Sequence, residues 1–149
     1  MDATEKLWAI EQIKQLKARY FRHMDTKDWA ALEGVFAPDA VMDMRGEMRD
    51  GRGDSGLTQG AAAIVRFMRA SIETVTTVHH GHTPEIDIQD ADNASGIWAM
   101  EDVLRWPDDS PAPIRHLRGF GHYHETYRKI DGQWRIQSTR LTRLRVDVS

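Results

Sequence analysis

The spacing of apolar residues changes near residue 75, and this change restricts the fold more than any other feature. Before that point apolar side chains recur every three or four residues, whereas after it they recur at every second residue. Helices followed by a run of strands predict an α+β domain, with the helices covering one face of a curved antiparallel sheet. No internal repeat or linker divides the sequence, so we expect one domain over residues 1–149.

Three helices are expected in the first half of the chain. Asp2 and Glu5 have the spacing of a capping box at the start of the first helix. Thr26 or Asp28 could cap a short second helix, which Pro38 would end. The predicted helices span residues 2–25, 29–36 and about 58–74.

Strands with a period of two make up the rest of the chain. The predicted strands are a brief one at 40–44, then 75–80 continuing into 85–89, 94–106, 114–129 and 133–147. Residues 90–93 and Asp131-Gly132 are turn signals, and 107–113 is a longer connection rich in proline. The segment 45–60 is rich in glycine and charge, which predicts a mobile loop.

The composition excludes several classes of protein. The chain has 149 residues and no cysteine, which excludes a disulfide framework and thiolate zinc sites. Its formal charge of -3 gives no basic field that would attract nucleic acid or an anionic membrane, so we expect neither partner. The N-terminal residues carry charges throughout and do not resemble a signal peptide, and we therefore expect a cytoplasmic protein.

Asp102 is the first candidate site residue. Alternation along strand 94–106 places it on the same face as Trp98 and Met100. A carboxylate on an apolar face costs several kcal/mol unless it is paired or protonated, so Asp102 should have a cationic or hydrogen-bonding partner. In the alternative, the register slips by one residue, Asp102 is exposed and the Glu101 face is buried.

The segment HHGHTPEI (79–86) places three histidines at the end of a predicted strand, with His79 on one face and His80 and His82 on the other. Histidine is well suited to take and return a proton near neutral pH when a neighbour fixes its tautomer. Alternatively, these histidines are surface groups or hydrogen-bonded structural residues.

Two His-x-His pairs also suggest a metal site. Each pair, His80 with His82 and His122 with His124, points to one side of its strand. If the two pairs met across neighbouring strands, four imidazoles, or three with Glu125 from a bulge, could hold zinc, iron or nickel. Uncoordinated histidines are the alternative.

Tyr20 and Asp25 lie near the end of the first helix, in RYFRHMD. Five residues at about 100° each do not aim two side chains at one point of an ideal helix. The two can therefore act together only if Asp25 occupies the frayed end of the helix; otherwise Asp25 is an exposed turn residue.

The chain resembles the SnoaL-like group of the nuclear transport factor 2-like superfamily in the segments IEQIKQLKARYFRHMDTKDWAALEGVFAPDA, HHGHTPEI, WAMEDVL and HETYRKIDGQWRI. Within this group the resemblance is greatest to the bile acid 7α-dehydratases of bacteria, and scytalone dehydratases are more distant. It covers residues 9–147, and the segments 44–60 and 107–113 depart from it. The resemblance implies a cone-shaped α+β barrel in which a curved sheet wraps around helices and leaves a deep pocket.

The resemblance also implies a site composed of Tyr20, Asp25, His79, Asp102 and Arg143. In such a site the histidine removes a proton, the first aspartate orients it and stabilises its cation, and the tyrosine hydrogen-bonds the oxygen that gains charge. The second aspartate and the arginine position polar groups.

Simple alternation along 133–147 leaves the arginine undecided. It places Arg143 with Arg135 and Arg145, and Arg140 on the face of Trp134, so that one β-bulge decides which arginine enters the pocket.

The activity implied by the resemblance is that of a lyase that needs no cofactor and no metal. Such an enzyme would eliminate water or another leaving group from a hydrophobic polycyclic or steroid-like substrate activated by a carbonyl. An isomerase or cyclase, a non-catalytic domain that binds a small molecule, and a metal-dependent enzyme using the paired histidines remain alternatives. Relatives form trimers or dimers, and we expect a homo-oligomer, preferably a trimer.

Overall fold

The computed structural model describes residues 1–45 and 56–149 of the chain. Within these ranges, three helices precede most of a seven-stranded sheet, in agreement with the predicted α+β class. The helices are α1 (Ala3–Asp25), α2 (Trp29–Glu33) and α3 (Ala61–Ile72). The strands are β1 (Phe36–Asp43), β2 (Leu57–Gln59), β3 (Thr76–Gly81), β4 (Glu85–Ile88), β5 (Asn93–Arg105), β6 (His116–Ile130) and β7 (Gln133–Val148).

Helix α1 begins as its sequence predicts. The Asp2 carboxylate accepts a hydrogen bond from the Glu5 backbone N–H at 2.8 Å, and the Glu5 carboxylate accepts one from the Asp2 N–H at 2.7 Å. This capping box satisfies two donors that the first turn leaves without helical partners. The inner face of α1 then buries Ile13, Leu16 and Tyr20 against the sheet.

The predicted boundaries are wrong around residue 36. Helix α2, capped by Asp28, ends at Glu33, and Phe36 is already the first residue of β1, which begins four residues before the predicted strand. Phe36 already pairs with Ile136 of β7, and the register of this pairing shifts between Phe36 and Val41. Pro38 lies in that interval, where a missing N–H costs no ladder hydrogen bond.

The segment between β1 and α3 is only partly a loop. Leu57–Gln59 forms the short strand β2, which pairs with β1, and α3 begins at Ala61 rather than at residue 58. The predicted mobility falls largely on residues 46–55, which lie outside the described residues.

The sheet curls without closing, in the order β2-β1-β7-β6-β5-β3, and β4 pairs with β5 beyond the end of β3. The prediction of a purely antiparallel sheet is wrong at one place, because β1 runs parallel to β7. A parallel pair needs a long connection between its strands, and here that connection contains β2 to β6. The turn at Asp131-Gly132 is a tight hairpin as predicted, with φ values of 50° and 77°.

Candidate functional site

A cavity of about 340 Å³ lies between the helices and the inner face of the sheet. Its apolar wall consists of Met24, Met42, Met44, Phe67, Met68, Ile72, Leu104, Trp106, Leu117 and Leu141. Its polar side chains are Tyr20, Ser71, His79, Asp102, Tyr123, Thr139 and Arg143. An apolar cavity with a few convergent polar groups is the usual form of a small-molecule site. Four of the five predicted site residues line this cavity, and the fifth, Asp25, contacts one of them.

Asp25 and His79 form a hydrogen-bonded pair at the edge of the cavity. Asp25 is the last residue of α1, and its Oδ1 lies 2.6 Å from Nδ1 of His79 on β3. Its Oδ2 accepts a hydrogen bond from the His79 backbone N–H at 2.9 Å. The carboxylate therefore holds both the ring and the main chain of His79. The condition derived from the sequence, that Asp25 occupies the helix end, is met.

Burial of Asp25 raises its pKa, but hydrogen bonds from the ring and backbone of His79 and from Thr77 outweigh this effect. The pKa of the Asp25 carboxyl therefore lies below its ordinary value. An ionised Asp25 accepts a hydrogen bond from the Nδ1–H group of His79 and leaves Nε2 as the basic ring nitrogen. That nitrogen lies 4.0 Å from Oδ2 of Asp102, which lines the cavity.

Two further residues fix the Asp25 carboxylate, and sequence reasoning missed both. The Thr77 hydroxyl donates to Oδ1 of Asp25 at 2.9 Å, and the Lys27 ammonium donates to the Thr77 hydroxyl at 2.8 Å. Lys27 has a φ of 62°, so the chain turns back towards β3 directly after α1. A lysine two residues after a helix is ordinarily a solvated surface group, which is why its spacing gave no signal.

Asp102 lies on the inner face of β5, as alternation predicted, and the slipped register is wrong. Its partner is Arg143 on β7: Nη1 lies 2.7 Å from Oδ1 and Nη2 lies 2.9 Å from Oδ2. Both side chains are buried, with exposed fractions of 5% and 6%. The bidentate contact is what makes a carboxylate on this apolar face possible. Asp102 is directly opposite His79 in the β3–β5 ladder.

A β-bulge in β7 decides between the two arginines. Trp134 and Ile136 face the core, but the register with β6 shifts beyond Ile136, and from Thr139 to Arg143 the odd-numbered residues face inward. Arg143 therefore enters the cavity and Arg140 is exposed on the outer face. The sequence predicted that one bulge would decide the matter but contained no glycine or turn signal that located it.

Tyr20 is buried on the inner face of α1 and lines the cavity. Its ring makes edge contacts with Phe36 and Tyr123, both with centroid distances of 6.0 Å. These contacts fix the ring on the wall of the cavity that also contains His79 and Asp102.

A buried ion pair lies beneath this wall and was not predicted. The Lys17 ammonium donates to Oε2 of Glu125 at 2.9 Å, and both side chains have no exposed surface. Two signals were available in the sequence. Lys17 occurs four residues after Ile13 and three before Tyr20, on the inner face of α1, and Glu125 alternates with buried tyrosines in β6.

The two histidine pairs do not come together. His80 and His82 belong to the β3 side of β5 and the pair His122 and His124 to its β6 side, so that β5 separates them. Within residues 1–45 and 56–149, no three histidine, aspartate or glutamate side chains are placed to hold a metal ion. The arrangement required by the metal-site hypothesis is therefore not formed.

A wider cleft, about 710 Å³, opens on the outer face of the sheet. It contains His124 and Arg140 but neither Asp25 nor His79. Burial of His124, together with the nearby cations, lowers its pKa, and its ring nitrogen Nε2 is within 3.0 Å of the Thr142 hydroxyl. The inner cavity, where His79 is paired with Asp25 and lies beside the Asp102–Arg143 ion pair, is therefore the candidate active site.

No helix in the described part of the chain is long and apolar enough to span a membrane.

Comparison with known proteins agrees with this fold. The family described as SnoaL-like domain matches residues 5–140. The curated protein named Probable cyclase FGR4 from Gibberella zeae is 27% identical over 137 residues, covering 89% of both chains. The narrower likeness to bile acid dehydratases stays a prediction.

Solved structures show the same fold. A scytalone dehydratase-like protein from Novosphingobium aromaticivorans superposes with a TM-score of 0.84 at 19% identity, covering 99% of this chain and 92% of the other. The hexachlorocyclohexane dehydrochlorinase LinA-type3 from Novosphingobium barchaimii gives a TM-score of 0.81 at 14% identity, covering 99% and 94%. At these identities the likeness concerns the fold, whereas any activity has to be argued from the residues in the cavity.

Proposed function

The chain belongs to the family of SnoaL-like domains, and we propose that it is a cofactor-independent lyase that starts an elimination by proton abstraction. The substrate would be a hydrophobic polycyclic or steroid-like compound activated by a carbonyl. The observation that carries the proposal is the 2.6 Å contact between Asp25 and the His79 ring at the wall of an apolar cavity. This is the arrangement of a general base with a carboxylate that orients it.

In the first step, Nε2 of His79 takes a proton from the carbon next to the substrate carbonyl. The electron pair of the broken C–H bond moves into the carbonyl group and forms an enolate. Asp25, hydrogen-bonded to Nδ1, stabilises the resulting imidazolium, because an ionised carboxylate favours the adjacent cation. Proton transfer by a positioned side chain contributes about 10²–10⁴-fold to a rate.

In the second step, the enolate re-forms the carbonyl and a carbon–carbon double bond, and the carbon–oxygen bond to the leaving hydroxyl breaks. The imidazolium returns its proton to this hydroxyl, which departs as water. His79 is then neutral again, and no electron acceptor is needed. A halide would depart without the proton, which the His79 imidazolium would then release to solvent.

Tyr20 is the proposed hydrogen-bond donor to the oxygen that gains charge. Its buried position on the cavity wall excludes water, and in a water-poor site such a donor stabilises an oxyanion more strongly than in solution. Asp102, held by Arg143, would orient polar substituents of the substrate beside Nε2 of His79.

An isomerase or cyclase is the second candidate, and the relative named as a cyclase favours it. Both reactions begin with the same proton abstraction. They differ in the fate of the enolate, which is protonated at another carbon or attacks a second carbonyl instead of expelling a leaving group. The residues proposed for the first step are therefore the same.

The proton abstraction can be tested before the natural substrate is known. A panel of cyclic ketones with one to four fused rings, each with and without a hydroxyl at the β carbon, would be incubated in deuterium oxide. Mass spectrometry would follow deuterium uptake at the α carbon, and ultraviolet absorbance would follow enone formation. The cavity volume of about 340 Å³ is at the lower end for small-molecule sites, so ring number is the variable of interest.

Wild-type protein should accelerate deuterium uptake for at least one ring size, and His79→Ala should lose this acceleration. His80→Ala is the matched control, because the adjacent imidazole is exposed on the opposite face of β3. Equal rates in the wild type and His79→Ala would exclude His79 as the base. A non-catalytic binding domain would bind members of the panel without accelerating exchange.

A further inference from the structure

The Lys17 ammonium lies directly behind the cavity wall, where it contacts two tyrosine rings. Its Nζ is 3.9 Å from the ring centroid of Tyr20 and 3.6 Å from that of Tyr123. Both tyrosines line the cavity. An ammonium group has three donors, and here one points to Glu125 and two ring faces are available to the others.

Glu125 receives two hydrogen bonds besides the one from Lys17. The Thr139 hydroxyl donates to Oε2 at 2.8 Å, and the Tyr127 hydroxyl donates to Oε1 at 2.9 Å. The Trp98 indole in turn donates to the Tyr127 hydroxyl at 2.9 Å. The negative charge is thus spread towards Tyr127, and the positive end of the pair lies against Tyr20 and Tyr123.

A gain in folding stability is a weak explanation for this buried pair. Removing two charges from water is costly, and apolar residues of similar volume in place of a buried ion pair are often neutral or stabilising. The contact with the cavity wall is the feature that an apolar pair would lack. A cation over the face of a phenol ring withdraws electron density from it, which makes the phenol hydroxyl a stronger hydrogen-bond donor.

We infer that Lys17 is a positioning residue of the site: held by Glu125 against Tyr20 and Tyr123, it strengthens their hydroxyl donors and favours an anionic oxygen in the cavity. The inference rests on the proposed function, in which Tyr20 contacts the oxygen that gains charge. In addition to the residues proposed for catalysis, the site then includes the charge of Lys17, which touches no substrate and acts through the rings of Tyr20 and Tyr123.

The test measures binding and not turnover. The probes are 4-nitrophenolate, at a pH where the free phenol is ionised, and nitrobenzene, which has the same ring and no anionic oxygen. The variant is Lys17→Met with Glu125→Gln, because glutamine keeps an acceptor for the Tyr127 hydroxyl and leaves no unpaired buried charge. Lys14→Met is the control, since Lys14 is an exposed lysine one turn earlier on α1.

We expect the wild type and Lys14→Met to prefer 4-nitrophenolate to nitrobenzene. The double variant should bind 4-nitrophenolate about tenfold more weakly and nitrobenzene equally well. A purely structural role would weaken both ligands together, and that result overturns the inference. The inference is also overturned if the double variant keeps the wild-type preference for 4-nitrophenolate, or if the wild type shows no such preference.

Tyr20→Phe separates the two proposals. If it loses the preference for 4-nitrophenolate while the double variant retains it, Tyr20 contacts the anion and only the role of Lys17 is wrong. If Tyr20→Phe retains the preference, the proposed role of Tyr20 is wrong.

If the double variant fails to fold, a measurement on the unaltered protein tests the inference instead. In protein labelled with ¹⁵N-lysine, the Lys17 ammonium should give a protected, ring-shifted NMR signal that moves when 4-nitrophenolate binds and not when nitrobenzene binds. A neutral amine at neutral pH, or a signal that 4-nitrophenolate leaves unmoved, contradicts the inference.

Discussion

Arg143 reaches Asp102 across an intervening strand, and the ion pair lies directly on Gly119. Gly119 is opposite Asp102 in the β5–β6 ladder, and a Cβ at this position would overlap both Nη1 of Arg143 and Oδ1 of Asp102. The glycine therefore provides the space in which the two buried charges meet. A residue without a functional group is thus part of the construction of the site.

Gly119→Ala should separate Arg143 from Asp102. Overpacking at a buried position costs about 1–3 kcal/mol of the free energy of unfolding, and turnover should fall because the charges beside His79 are displaced. Gly34→Ala is the matched control, since its Cβ would make only ordinary contacts. Urea unfolding and the deuterium-uptake assay measure the two effects, and a Gly119→Ala protein with wild-type stability and rate would refute the prediction.

Arg143→Met should be strongly destabilising, and Arg140→Met should not. Removal of one partner from a buried ion pair leaves an uncompensated charge and costs about 3–5 kcal/mol, whereas an exposed arginine contributes little. Denaturant unfolding of both variants gives the comparison. Similar losses for both would mean that the bulge in β7 does not direct Arg143 inward.

His79→Ala and Asp25→Asn should act as one unit. Each should lower the rate of proton abstraction by about 10²–10⁴-fold, and the double variant should be little worse than either, because the second change removes a partner whose effect is already lost. A double-mutant cycle on deuterium uptake measures the coupling. Losses that multiply would show that the two residues act independently.

The stability of the protein at acidic pH should depend on Asp25. The pKa of Asp25 is lower in the folded protein than the ordinary value of 3.8. Its contribution to the free energy of unfolding is therefore present above that value and is lost as pH falls through the folded pKa. The free energy of unfolding should therefore differ between wild type and Asp25→Asn near neutral pH, and this difference should shrink below about pH 4. Other carboxylates contribute to both proteins and cancel. A difference that stays constant down to about pH 2 would contradict the pKa shift.

Alternation was enough to predict the position of Asp102 and the opposite faces of His79 and His80. A strand places successive side chains on opposite faces, so assigning one apolar side chain to the inner face also assigns the faces of its neighbours in the strand. The same rule failed for Arg143, because a bulge changes the face of every later residue and depends on how two strands pair. Patterns local to one strand were therefore predictable, and those set by its partner were not.

Lys17 and Glu125 show a second limit of the sequence. Each is a charged residue, and charged residues are almost never fully buried unless they are paired. The partner of Lys17 is 108 residues away in the chain, so neither residue reveals the other. The position of each on an apolar face was visible, but the pairing that makes burial possible required the tertiary structure.

The parallel contact between β1 and β7 has a consequence for synthesis on the ribosome. The strand that begins at Phe36 can obtain this neighbour only after Gln133–Val148 has left the exit tunnel. Arg143 also lies in β7, so Asp102 has no access to this cation until that strand arrives. Contacts between such distant parts of a chain slow folding, because the entropy of closing the long loop is lost before the strand contacts stabilise the structure. We therefore expect folding to be completed only after β7 has emerged, with the edge of β1 that awaits β7 as the surface that a chaperone would protect.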